Sequence, residues 1–307
     1  MIRRLIDQAP AALFAAAIGC TPARTAAPVA TTPQSATDPN ARPAEVNLVS
    51  PTGPRERPEL REHFQAEQVS GTIALFDSAD ASLSCSDVPL CQKATIPAST
   101  FKIANSMIAL ETGAVENDET VLPWDGRKYS VEEWNRDNTL RSAIRVSCLP
   151  CFQAIARKVG PERMKDWVTK LDYGNHDTSG PVDQFWLTGG LRITPLQQID
   201  FLRRFDAGKL PISKRTAETV RDIIVLDVGQ NYVLRGKTGL NQPPDFPELA
   251  AWFVGWLELG ERRVFFATII NGHAKDVDVK PARRRVTERV LRSLQLLPAD
   301  ATRSIND

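Results

Sequence analysis

Ser99 and Lys102 stand three positions apart in the run Pro97-Ala98-Ser99-Thr100-Phe101-Lys102-Ile103-Ala104, at the mouth of an apolar helical stretch. Side chains at i and i+3 share a helix face, so the lysine amine can reach the serine oxygen. A serine hydroxyl is a weak nucleophile until a neighbouring base takes its proton. A lysine can be that base only where burial keeps its amine neutral. On its own the S-x-x-K spacing also describes the polar face of a surface helix, and it recurs by chance about once in a chain of this length.

A serine–lysine pair doing acyl transfer needs three further things: donors for a developing oxyanion, a relay to the leaving group, and a cation for an acidic substrate. Residues of the right type lie downstream. Ser99 opens a helix, whose first N–H groups lack partners and favour negative charge. Ser147 begins a second helix. Tyr173-Gly174-Asn175 reads as a polar turn. Lys237-Thr238-Gly239 lies on a strand, where the glycine permits close approach and Lys237 puts a cation beside a hydroxyl. Each of these also has a plain structural reading: a turn, a core aromatic for Trp186, or a solvated basic face for Arg283-Arg284-Arg285. Cys148-Leu149-Pro150-Cys151 is a competing motif, since C-x-P-C at a helix start is similar to thioredoxin-type redox sites. That reading requires a strand directly before the motif, whereas a polar, helix-like stretch, 136–145, precedes it; a disulfide or buried thiols fit better. The three histidines, His63, His176 and His273, have no metal-ligand spacing, which argues against a zinc or histidine-triad mechanism.

The elements that must hold these residues follow from periodicity. Residues 71–77 read as a buried strand. A helix runs from Ser99 through Ile103, Met107 and Leu110 to a stop at Gly113. Residues 151–159 end at Gly160, and Pro161 opens the next helix. Thr194-Pro195 caps a helix over 196–205, and another lies near 217–226. Residues 232–239 form a strand, 250–259 and 263–271 a hairpin, and about 281–296 a last helix. The pattern predicts an α+β fold: an antiparallel sheet drawn from both ends of the chain, flanked by terminal helices, with a helical subdomain over about 96–228 inserted between strands.

A net charge of +1 without a basic stripe excludes nucleic acid as the expected partner. Arg3, Arg4 and the short apolar stretch 11–18 form an export signal too short to span a bilayer. Ala17-Ile18-Gly19-Cys20 resembles a bacterial lipobox, which makes Cys20 a candidate for lipidation and the periplasm the expected compartment. Residues 21–60 carry eight prolines and no apolar periodicity, the composition of a disordered tether. The catalytic domain is expected over 61–298, with a tail at 299–307. Cys85, Cys91, Cys148 and Cys151 suit disulfides in an exported chain, with the pairing open.

Taken in order, Ser99-Thr100-Phe101-Lys102, Ser147-Cys148-Leu149, Tyr173-Gly174-Asn175, Phe185-Trp186-Leu187 and Lys237-Thr238-Gly239 resemble the class D, oxacillinase-type, serine β-lactamases across roughly residues 62–298. The resemblance implies hydrolysis of a β-lactam amide through an ester on Ser99. It implies no metal or organic cofactor; Lys102 would react with CO2, drawn from bicarbonate, to become N6-carboxylysine, the general base. Trp186 would hold that carbamate by its indole N–H, with Leu149 packed beside it. Ser147 would pass a proton to the departing nitrogen. Lys237, Thr238 and Arg283 would bind the substrate carboxylate, and backbone N–H groups of Ser99 and Leu240 would form the oxyanion hole. The family usually has Ser-x-Val where this chain has Ser147-Cys148-Leu149, and Cys148 and Cys151 are not usual there. Two other functions share part of the pattern: a penicillin-binding transpeptidase, and a β-lactam sensor that is acylated without turning over.

Overall fold

The computed structural model describes residues 53–242 and 248–297. The export signal, Cys20, most of the tether and the C-terminal tail lie outside the described residues. The elements in chain order are β1 (Arg55–Glu56), α1 (Arg61–Ala66), β2 (Val69–Asp77), β3 (Ser82–Cys85), α2 (Val88–Cys91), α3 (Lys102–Glu111), β4 (Val121–Leu122), β5 (Asn138–Thr139), α4 (Leu140–Arg145), α5 (Leu149–Val159), α6 (Pro161–Lys170), α7 (Pro195–Asp206), α8 (Lys214–Ile223), β6 (Val225–Val228), β7 (Val233–Asn241), β8 (Ala250–Leu259), β9 (Arg262–His273) and α9 (Val279–Ser293).

Seven strands form one sheet in the order β1-β3-β2-β9-β8-β7-β6. Successive side chains of a strand point to opposite faces, and here both faces are covered. Along β8, Trp252, Val254 and Trp256 enter the core under the helical subdomain, while Ala251, Phe253 and Leu257 enter the core under the terminal helices. β9 alternates likewise, with Phe265 and Ala267 on the first face and Val264 and Phe266 on the second. Double-sided burial explains why 250–259 reads as an unbroken apolar run rather than an alternating one. On the second face α9 presents Val279, Ala282, Val286 and Val290, one helical stripe.

The α+β architecture with an inserted helical subdomain is as expected, and four details differ. The sheet is not purely antiparallel, because the short edge strand β1 pairs with β3 in parallel. Arg55–Glu56, and Pro58–Leu60 in a 3-10 turn with Leu60 buried, belong to the fold rather than to the tether expected up to residue 60. Three strands, not one, precede the helical subdomain. The helix expected near 217–226 ends at Ile223, and Val225–Val228 pairs with β7 as a seventh strand. The cysteines pair as neighbours, Cys85 with Cys91 and Cys148 with Cys151. Among the described residues, no helix is long and apolar enough to cross a membrane.

Candidate active site

Ser99 sits in a 3-10 turn, Ala98–Phe101, that runs into α3 at Lys102. It does not open an α-helix as expected, so its N-terminal N–H groups are those of a turn. The turn is held from four directions. Trp252 on β8 donates its indole N–H to Ile96 O at 2.8 Å. The Ala98 N–H bonds Trp186 O at 3.0 Å. Thr100 donates to Pro97 O at 2.8 Å and accepts from Gln198 of α7 at 2.9 Å, and Gln198 also donates to the buried Tyr173 hydroxyl at 3.3 Å. On the fourth side β7 comes so close at Gly239 that a Cβ there would lie 3.0 Å from Pro97 O and 3.1 Å from the Thr100 nitrogen. The Lys237-Thr238-Gly239 motif therefore ends in glycine because the Ser99 turn packs on that strand.

Lys102 donates to Ser99 Oγ at 2.7 Å and is completely buried, with the Phe152 ring 5.4 Å from its nitrogen. Among the described residues no carboxylate pairs with it. Burial alone pulls its pKa from 10.5 down to about 7, because the apolar surroundings disfavour the ammonium. This is the neutral amine that the S-x-x-K reading requires.

Lys237 is the second buried lysine. It donates to Ser147 Oγ and to Thr238 O, both at 3.0 Å. Its pKa also lies well below the ordinary lysine value, first through burial and then through repulsion from Lys102 and the Arg283 and Arg284 guanidiniums. An incoming carboxylate would reverse that penalty by supplying the missing opposite charge. Ser147 does not begin a helix as expected. It occupies the turn between α4 and α5 with φ +52°, and Cys148 is the residue that caps α5. Leu149 is then the first residue of α5. Leu240 follows Gly239 on β7, opposite Ala251 of β8.

Trp186 is fully buried and stacks on Phe101, with ring centroids 5.5 Å apart. Its Nε1–H is a buried donor with no hydrogen-bond partner. An indole nitrogen only donates, and an orphaned donor costs free energy unless an acceptor arrives. Such a donor fits an added carboxyl group. Arg283 is buried and donates to Gly239 O at 2.7 Å, which fixes it beside the Lys237-Thr238-Gly239 segment. Its neighbour Arg284 instead lines a cavity of about 590 Å³ together with Arg141, Arg145, Arg235, Lys237 and Thr238.

Four contributors were not legible as such in the sequence. Gln198 and Trp252 serve the nucleophile turn through tertiary contacts alone. Arg284 was grouped with a solvated face. Asn105, one helical turn beyond Lys102, is fully buried with neither amide atom bonded; an asparagine inside an apolar helix was the available signal.

Residues 67–293 match the family model described as the penicillin binding protein transpeptidase domain. The chain is 37% identical over 239 residues to the β-lactamase OXA-10 of Pseudomonas aeruginosa, covering 78% of this chain and 89% of that one. It is 35% identical over 244 residues to the β-lactamase OXA-48 of Klebsiella pneumoniae, covering 80% and 91%. Among solved structures it is similar to the class D β-lactamase YbXI from Nostoc, with 41% identity, a TM-score of 0.74, and 78% and 99% of the two chains covered. The class D β-lactamase FUS-1 from Fusobacterium nucleatum gives 31% identity and a TM-score of 0.75, covering 80% and 100%.

Proposed function

The chain belongs to the class D serine β-lactamases, and we propose that it opens the β-lactam amide of penicillin-type antibiotics through an ester on Ser99 and then hydrolyses that ester, conferring resistance. The observation that carries this reading is the 2.7 Å bond between Ser99 Oγ and the amine of Lys102, a completely buried residue with no charge partner among the described residues. Ser99 Oγ gives its proton to the Lys102 side chain, 2.7 Å away, as it forms a bond to the lactam carbonyl carbon, and the carbonyl oxygen takes the charge beside the Ser99 and Leu240 N–H groups. The carbon–nitrogen bond then breaks. The departing nitrogen takes its proton from Ser147, which draws on Lys237 at 3.0 Å. Water adds to the ester carbon and Ser99 leaves with a proton restored. Lys237, Thr238 and Arg283 bind the substrate carboxylate, a guanidinium and an ammonium being suited to it.

CO2 added to the neutral Lys102 amine would supply a carbamate, a general base that a free lysine near neutral pH cannot match. The unpartnered Trp186 Nε1–H supports that fit, and Leu149 at the start of α5 would fill the space that the family's valine fills. We further propose export to the periplasm with a lipid on Cys20, supported by the lipobox-like Ala17-Ile18-Gly19-Cys20 and the proline-rich stretch behind it.

The test is hydrolysis of a chromogenic cephalosporin by the full chain, with and without bicarbonate. Steady turnover that rises with bicarbonate supports the reading; a lasting acyl adduct without turnover would favour the transpeptidase or sensor alternative.

A further inference from the structure

Ser147 is held in a backbone conformation that residues with a side chain rarely keep, at φ +52°, yet its hydroxyl is aimed at Lys237 Nζ, 3.0 Å away. Such a conformation persists only where the surroundings impose it. The Ser147 N–H makes a long bond to Ile144 O, 3.3 Å, and the Cys148 N–H bonds Ala143 O at 2.8 Å. On the helix side the chain leaves Ser147 directly into Cys148, which caps α5 with a sulfur rather than with the oxygen of a serine, threonine or aspartate. That sulfur accepts the Cys151 N–H at 3.3 Å and is covalently joined to the Cys151 sulfur. Cys148 is completely buried, and Cys151 is half-buried against the core. A thiol is a weak acceptor, so the covalent bond, not the cap, fixes the first turn of α5.

We propose that the Cys148–Cys151 disulfide is a positioning element for Ser147: by clasping the first turn of α5 it keeps Ser147 in its left-handed conformation, and the rate of acylation depends on its being intact. The bland reading of Cys148-Leu149-Pro150-Cys151, a clip that stabilises the helix, makes no claim on a single step. The positioning role does. Ser147 serves the lactam nitrogen, whose bond to the carbonyl carbon breaks on acylation while the nitrogen stays tethered to the acyl group, whereas the bond that breaks on deacylation is the one to Ser99 Oγ. Opening the clasp should therefore slow ester formation more than ester hydrolysis, which it touches only through Leu149 in the same turn of α5. A displacement of about 1 Å in a proton relay is enough to cost tenfold or more. The inference rests on the relay role given to Ser147 above.

The experiment is stopped-flow measurement of the acylation and deacylation constants of the full chain with a chromogenic cephalosporin, before and after treatment with a water-soluble phosphine. The phosphine attacks the sulfur of Cys151, the less buried of the two, Cys148 leaves as thiolate, and water completes the exchange to two thiols and a phosphine oxide. Alkylation and mass analysis establish which cysteines are free. Cys148→Val/Cys151→Val, which keeps apolar volume, is measured in parallel with and without phosphine, so that any effect of opening Cys85–Cys91 is seen separately. The expected result is an acylation constant at least tenfold lower in the reduced wild type, a deacylation constant within twofold of the original, recovery on reoxidation, and a valine variant that is slow and unresponsive. Unchanged acylation with Cys148 and Cys151 shown to be free would overturn the proposal, as would acylation and deacylation falling together. Should the valine variant not fold, the oxidised and reduced wild type decide alone. Ser147→Ala separates the two ideas: slow acylation in Ser147→Ala while reduction leaves wild-type acylation unchanged removes only the clasp, whereas acylation at the wild-type rate in Ser147→Ala removes the relay role itself.

Discussion

Reactivity of Lys102 toward CO2 should follow its unusual protonation. Only the neutral amine can add CO2. With a pKa of about 7, the neutral fraction falls from about nine-tenths at pH 8 to just under one-tenth at pH 6, roughly a tenfold change. An exposed lysine near its ordinary value of about 10.4 would be less than about one per cent neutral at either pH. The assay starts from enzyme stripped of CO2 at low pH. It is returned to pH values between 6 and 8.5 at one fixed concentration of dissolved CO2, and recovery of cephalosporin hydrolysis is timed. Recovery should quicken about tenfold from pH 6 to pH 8 and level off above. A recovery rate flat across that range, or still climbing tenfold per pH unit at pH 8.5, would refute the burial argument. The sign for stability is the same. The pKa is lowered on folding, so between about pH 7 and the ordinary lysine range the unfolded chain binds more protons, and this group's contribution becomes more favourable as pH rises. Below pH 7 the folded protein bears the full cost of a buried ammonium, so Lys102→Met should be inactive yet melt no lower than wild type at pH 6.

Other expectations follow from single contacts. Trp186→Phe keeps the stack on Phe101 but removes the unpartnered N–H; deacylation should slow and be partly restored by excess bicarbonate, and an unchanged deacylation constant would remove the anchoring role. Gly239→Ala sets a methyl 3.0 Å from Pro97 O; displacement of the Ser99 turn should cut kcat/KM by about a hundredfold and lower stability by about 1–3 kcal/mol, as read from kinetics and thermal melts. Cys20→Ser should abolish incorporation of labelled palmitate in a bacterial host and leave the protein soluble after cell fractionation; labelling that persists would exclude Cys20 as the lipidated residue.

What the sequence disclosed and what it withheld divide along physical lines. β8 and β9 were legible because burial on both faces demands long apolar runs, and Ser99, Lys102 and the Lys237 strand because chemistry fixes residue types at short spacing. β1 and β6 were not. A two-residue strand carries no periodicity, and Val225 and Leu226 continue the apolar spacing of α8, so nothing local marks where the helix yields to strand pairing. The cysteine pairings were closed to parity arguments, since four cysteines allow three connectivities. Ser147 was placed at a helix start because its left-handed turn is imposed by neighbours rather than by its own preferences. Gln198 and Trp252 owe their roles to contacts across 98 and 156 residues of chain, a distance at which no spacing rule operates.

The central claim is that Ser99 carries an ester that forms and is then hydrolysed. The direct measurement is rapid acid quench of the full chain during penicillin turnover, followed by intact-mass analysis and peptide mapping. The account expects a transient adduct of the whole penicillin mass on the peptide holding Ser99, absent in Ser99→Ala and gone once substrate is exhausted. Sustained hydrolysis by Ser99→Ala, or an adduct on any other residue, would contradict it.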